Sequence, residues 1–205
     1  MNEKIQGWIN LYKHVGMSSF SAIYKIKKNF KIKKLGHAGT LDPKAEGILP
    51  IAINKTTKLI PFVNSNSKKY FFKIKWGEQT STDDSEGEVI NFSNKIPKEE
   101  DIKKIFNHFL GQIDQVPPKA SAIKVNGKRA YSILRDKKNF TLDSKKVFLK
   151  SILFLESCKN SSSFLIECGK GFYVRSFARD LADSIRSVDL INLERSSTKW
   201  LVNEL

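Results

Sequence analysis

Only two of the 205 residues are cysteines, Cys158 and Cys168, and their spacing matches no metal-ligand pattern. That scarcity excludes a disulfide-stapled scaffold and a zinc finger. The two thiols either face each other across neighbouring strands or stand reduced and half-buried, as in a cytosolic protein. No apolar run approaches the length that crosses a bilayer, and the opening MNEKIQGWINLYKHVG lacks a signal-peptide core. A cytoplasmic location without a membrane partner is expected. Acid is the other shortage: 21 Asp and Glu stand against 36 Lys and Arg, a net charge of +15. Such an excess favours a polyanionic partner, because each neutralised phosphate releases condensed counterions. Most of the bases are lysine, so a lysine-rich proteome is the competing explanation. With 40% apolar residues the chain can build one core or two small lobes sharing an interface.

The periodicity predicts an α+β fold, a mostly antiparallel sheet with helices packed on it. Gly7 to Tyr12 reads as a strand. Ser18 or Ser19 can cap a helix in which Phe20, Ile23, Tyr24 and Phe30 recur at helical spacing. Tyr70 to Trp76 alternates like a strand with one buried face. A helix is expected after Pro97, with Ile102, Ile105, Phe106 and Phe109 on one side. Asn126-Gly127 signals a hairpin. Two β-rich stretches, 145–156 and 163–169, precede a helix over 175–185 that turns Phe177, Ala178, Leu181, Ala182 and Ile185 inward. No repeat, low-complexity linker or obvious domain boundary interrupts the chain.

Residues 33–50 cannot form one regular element, for Gly36, Gly39, Pro43, Gly47 and Pro50 fall within them. Pro43 pushes Asp42 out of the helical region, while Leu41, Ile48 and Leu49 are apolar enough to anchor the loop. An Asp held on an anchored loop suits a nucleophile or base. The plainer alternative is an Asx turn before proline. Pairing His37 with Asp42 around a serine would make a hydrolase, but the two share one loop and no serine sits on a strand-turn-helix elbow.

GHAGTLDPKAEGILP, residues 36–50, resembles the catalytic loop of the TruB family of bacterial tRNA pseudouridine-55 synthases. The resemblance continues through Lys68-Lys69-Tyr70 and the loop from Gly77 to Gly87, through Gln115 to Tyr131, through Gly169 to Leu181, and in the opening strand at 7–13. It implies one catalytic domain that isomerises uridine 55 in the T-arm loop of tRNA by flipping the base, without a cofactor or metal. It implies Asp42 as the catalytic carboxylate, Tyr70 packed on the target base and Arg175 paired with that carboxylate. His37, Tyr173, Lys13, Gly39, Leu41 and Lys124 would contact the RNA or line its pocket. Taken without the resemblance, Tyr70 is a buried strand aromatic and Arg175 a residue near a helix start. The aspartates after Gly77 would cap turns, and Arg179 with Asp180 would be an ordinary surface pair. His14 and Ala120 depart from the family pattern, as does the stretch after Asp183, where only Leu193-Glu194-Arg195-Ser196 stands in for a longer motif. The end at Leu205 leaves no room for a C-terminal PUA domain, so a minimal, monomeric enzyme with no obligate protein partner is expected. A non-catalytic RNA-binding protein and a guide-RNA-dependent relative are the alternatives.

Overall fold

The computed structural model describes residues 5–63, 67–190 and 201–204, with side chains only to residue 185. The chain divides into two compact units, Met1–Asn66 with Glu204–Leu205, and Ser67–Asn203. No linker-like composition marks the division.

The first unit is built on a three-stranded antiparallel sheet. Strand β3 (Gly47–Ile53) lies between β1 (Gly7–Lys13) and β2 (Leu35–His37), with Leu11 opposite Leu49 and His37 opposite Ile51. Ile51, Ala52 and Ile53 are buried in succession, so both faces of the central strand are covered there. A 3-10 turn (Asn54–Leu59) leads from β3 into the short helix α2 (Ile60–Val63); α1 (Ser19–Asn29) precedes β2. Ser18 caps α1, its Oγ accepting from the Ser21 amide at 3.1 Å. Lys27 and Lys28 occupy the last turn, where they oppose the negative end of the helix dipole. The buried side of α1 is formed by Ser19 and Ala22, not by the aromatic stripe expected from spacing; Phe20 is 75% exposed and Tyr24 57%. Small side chains let the helix approach the sheet closely, so the large rings face water.

The second unit carries a five-stranded sheet in the order β12-β4-β11-β10-β7. Its strands are β4 (Lys68–Lys75), β7 (Gly111–Gln115), β10 (Lys145–Cys158), β11 (Ser161–Cys168) and β12 (Leu201–Glu204). β4 with β11, β11 with β10, and β10 with β7 pair antiparallel. Two small ribbons complete it: β5 (Glu78–Thr80) with β6 (Val89–Phe92), and β8 (Lys124–Val125) with β9 (Lys128–Arg129) around Asn126-Gly127. Helices α3 (Glu99–Lys104), α4 (Ala130–Arg135) and α5 (Val174–Leu190) belong to the same unit. The core sets Phe72, Ile74, Val147, Leu149, Phe164 and Ile166 of the sheet against Ile102, Ile105 and Phe109 and against Phe177, Ala178, Leu181, Ala182 and Ile185 of α5. The alternating strand and the helix over 175–185 expected from sequence therefore stand, whereas the helix expected after Pro97 ends at Lys104 and Phe106–His108 form a 3-10 turn; the fold is α+β.

The cysteines do not face each other. Cys158 pairs with Ser161 at one end of the β10–β11 hairpin, and Cys168 lies at the other end. Cys158 is exposed and Cys168 buried, neither half-buried, and burial pushes the Cys168 thiol up to about 12. The segment Leu193-Glu194-Arg195-Ser196 lies outside the described residues.

Candidate active site

Asp42 sits in the loop between β2 and β3, and its backbone is fixed on both sides. Leu41 is clamped by the buried Ser19, whose Oγ accepts from the Leu41 amide and donates to its carbonyl, each at 3.0 Å. The Pro43 carbonyl accepts from the Gly16 amide at 2.8 Å, and the Ala45 amide closes a turn on the Asp42 carbonyl at 3.1 Å. Lys13 reaches beneath the loop. Its fully buried ammonium donates to the carbonyls of Met17 (2.9 Å), His14 (3.2 Å) and Ala45. A buried cation is costly unless its donors are satisfied, and three carbonyls satisfy them. Lys13 thus acts here as a loop anchor. Of the three apolar anchors expected from sequence, Leu49 is buried and Leu41 half-buried, but Ile48 is 59% exposed. Gly39 has φ +115°, a conformation L side chains rarely adopt, and its carbonyl accepts from His37 Nδ1. This fixes the imidazole of the half-buried His37 against its own turn.

The same unit contains a cleft of about 250 Å³ lined by Lys33, Lys34, Asn54, Lys55, Thr57 and Lys58. Asn54 builds it: buried and at φ +50°, it accepts from the Lys34 amide (3.1 Å) and donates through Nδ2 to the Ile5 carbonyl (2.8 Å). Four ammonium groups around one cleft present positive potential to an anion.

In the second unit, Tyr70 is a half-buried residue of β4, opposite Ile166 and packed against the core. Tyr173 stands just before α5, and buried Gln115 holds its backbone twice: Oε1 accepts from the Tyr173 amide at 2.8 Å and Nε2 donates to its carbonyl at 3.1 Å. Arg175, in the first turn of α5, is buried. It donates to the carbonyls of Thr82 (3.1 Å) and Ala120 (3.2 Å) and to Asp84 Oδ2 (2.9 Å). The other Asp84 oxygen accepts from Thr82 Oγ1 at 2.6 Å and the Glu86 amide at 2.9 Å, so this aspartate closes a turn and holds an arginine together. Gly87 makes the turn possible, since a Cβ there would lie 2.4 Å from Thr82 Oγ1. Lys124 is exposed on the β8–β9 ribbon.

Arg179 and Asp180 are not an ordinary surface pair. Arg179 bridges Asp180 (3.0 Å), Asp83 of the acidic loop (3.0 Å) and the Val116 carbonyl (2.7 Å), and its side chain is only 21% exposed. Burial, opposed by Arg179 and aided by Asp183 and Asp83, pushes the Asp180 carboxyl up to about 6; burial raises Asp83 too, against the pull of Arg179. A carboxyl raised on folding loses stability as it ionises, here as pH rises from 3.8 through about 6. Asp180→Asn is therefore expected to flatten the pH dependence of the urea midpoint between about pH 4 and 6, and an unchanged slope would contradict it. Spacing concealed this network because its loop and helix lie some ninety residues apart. The available signal was complementary charge: two adjacent aspartates in the loop, and two arginines one helical turn apart.

Among the described residues no cluster of three or more His, Cys, Asp or Glu side chains is arranged to hold a metal ion. Residues 27–174 match the N-terminal domain of the TruB family pseudouridylate synthases. The chain belongs to the TruB family. This TruB-family chain is 48% identical over 177 residues to tRNA pseudouridine synthase B of Ehrlichia ruminantium (strain Gardel), a match covering 85% of the chain and 60% of that relative. Against tRNA pseudouridine synthase B of Rhizobium meliloti (strain 1021) the identity is 46%, covering 86% and 57%. The chain thus spans about 60% of the length of the curated relatives it matches. Its fold is shared by a chain of a Cbf5-Nop10-Gar1 complex, with TM-score 0.67 and 24% identity over 97% of this chain and 47% of that one. A chain of an H/ACA RNP bound to a substrate RNA containing 2′-deoxyuridine gives TM-score 0.64, 21% identity, and coverage of 97% and 46%. No helix of the described TruB-family residues is long and apolar enough to cross a membrane.

Proposed function

We propose that this chain converts uridine 55 in the T-arm loop of transfer RNA to pseudouridine, with Asp42 as the catalytic carboxylate. The observation that carries the proposal is the loop itself: a TruB-type sequence in which Asp42 is bracketed by backbone clamps from Ser19, Gly16 and Ala45. Catalysis needs a group held within a fraction of an ångström, and these clamps remove the freedom of the residues on either side.

The isomerisation breaks the C1′–N1 bond, turns the uracil and joins C1′ to C5; C5 gives up its proton and N1 takes one up, so product and substrate are isomers. Nothing is oxidised and no group is transferred from outside, so the chemistry calls for no cofactor. The base must leave its stack, at a cost of a few kcal/mol that aromatic contact and phosphate binding can offset. Asp42 reacts as the ionised carboxylate. Arg175 is assigned the cationic role that keeps it ionised, and Tyr70 and Tyr173 the walls of the base pocket. The two hydrogen bonds of Gln115 to the Tyr173 backbone and the Asp84 ion pair support those roles, since they leave Tyr173 and Arg175 little freedom. His37 and Leu41 flank the catalytic aspartate, and Gly39 permits the turn between them. Lys13 contributes by anchoring the loop, and Lys124 as an exposed cation. The chain is proposed to act as a monomer in the cytoplasm.

The lysine cleft supplies phosphate contacts in this reading. Lys55→Glu with Lys58→Glu is expected to weaken binding of a tRNA transcript at least tenfold at low salt and to flatten the dependence of log Kd on log salt. Filter binding across a salt series measures both, and an unchanged slope would remove the cleft from the RNA path. The function is tested by incubating the protein with an unmodified tRNA transcript and locating pseudouridine. Formation at the T-loop uridine supports the proposal, and a protein that binds the transcript without modifying it leaves only an RNA-binding role.

A further inference from the structure

We propose that the exposed face of α1 is a stacking platform for unpaired nucleotides of RNA, separate from the candidate active site. Phe20, Tyr24, Lys27 and Lys28 follow at i, i+4, i+7 and i+8, which places them on one side of the helix. The opposite side, through Ser19 and Ala22, is the one buried. The Phe20 and Tyr24 rings are stacked, with centroids 6.4 Å apart and planes 22° from parallel. Two rings aligned in this way and mostly open to water offer aromatic surface on which a base can stack. Phe30, at the end of the same helix, is 65% exposed.

The charge around the rings selects the occupant. From Lys4 to Leu41 the sequence contains no Asp or Glu. Lys25, Lys27, Lys28, Lys31 and Lys34 are all exposed within it. Lysine is depleted from the cores of protein interfaces, so Lys27 and Lys28 beside the rings, within a run of exposed lysines, disfavour a protein partner. Aromatic rings among ammonium groups are how single-stranded nucleic acids are held: bases stack on the rings while lysines meet the phosphates. In sequence the basic run continues through Lys33 and Lys34, which line the lysine cleft of the same unit. Paired RNA cannot use the platform, because its bases are already stacked on each other. The ligand is therefore an unpaired stretch of the RNA, and only its identity as RNA rests on the function proposed above.

The probe is a short unpaired RNA carrying 2-aminopurine, whose fluorescence is quenched when the base stacks. The unaltered protein is expected to quench it, whereas Phe20→Ser with Tyr24→Ser should abolish quenching and raise Kd about tenfold or more. Phe20→Trp with Tyr24→Trp should retain both. Lys27→Glu with Lys28→Glu should weaken binding and lower its salt dependence. All four positions are exposed, and an unchanged urea midpoint verifies that each variant is folded. Quenching and affinity unaltered in the serine variant would overturn the proposal. So would a self-associated protein that the serine substitutions dissociate without changing RNA binding, since the face would then join two copies of the chain. Quenching without pseudouridine formation would leave the platform standing and remove the catalytic reading. Modification of tRNA without quenching would do the reverse.

Discussion

Asp42→Asn is expected to abolish pseudouridine formation, lowering the rate by a factor on the order of 10⁴ or more, while leaving RNA affinity within about twofold. The amide has the shape of the carboxylate but neither its charge nor its nucleophilicity. The bonds that shape the loop use the backbone of Leu41, Asp42 and Pro43 and the side chains of Ser19 and Lys13, so the substitution leaves them in place. Release of tritium from C5-labelled uridine in a tRNA transcript measures the chemistry, and filter binding with the same RNA measures affinity. A variant within about tenfold of the unaltered rate would show that Asp42 is not the reacting group. Loss of binding together with activity would show instead that the aspartate shapes the RNA site.

The largest expected effect on stability comes from Phe164→Ala. Phe164 lies on the inner face of β11 and is fully buried. Its ring meets Phe72 at 5.4 Å, Phe154 at 5.6 Å, Phe106 at 6.3 Å and Trp76 at 6.5 Å, three of the four edge-to-face. Truncation removes the apolar contact and leaves a cavity that four rings cannot refill without leaving their rotamers. A loss of about 3–5 kcal/mol follows, a large share of the roughly 5–15 kcal/mol that keeps a domain folded. The urea midpoint should fall by about 2 M, read by tryptophan fluorescence. A shift under about 0.5 M would mean that the cluster repacks freely, as a loosely filled core would.

Where burial follows from local alternation, the fold was legible in the sequence. Tyr70, Phe72 and Ile74 of β4 face inward as their period of two requires, and α5 buries Phe177, Ala178, Leu181, Ala182 and Ile185. Periodicity misled at α1, because it weighs ring size and takes no account of how closely a helix can approach on Ser19 and Ala22. It misled at Ile48, whose neighbour Leu49 takes the core position on β3. The loop around Asp42 was legible as a motif, whereas the serine and lysine that hold it lie more than twenty residues earlier in the chain. The bonds of Arg175 and Arg179 to Asp84 and Asp83 join segments 91 and 96 residues apart. No local pattern encodes such partners; complementary charge hints at them, and folding decides which carboxylate meets which guanidinium.

β4 pairs with β11 with Lys68 opposite Cys168, so Lys68 is made 100 residues before its opposite number leaves the ribosome. At roughly 5–20 residues per second that interval lasts about 5–20 s, during which Phe71, Phe72 and Ile74 have no strand beside them. An unpaired apolar strand is a template for aggregation unless charge interrupts it. Lys68, Lys69, Lys73 and Lys75 supply that interruption. The lysines of this strand thus act before the protein exists as a folded molecule, keeping a nascent segment solitary until its partner has been synthesised.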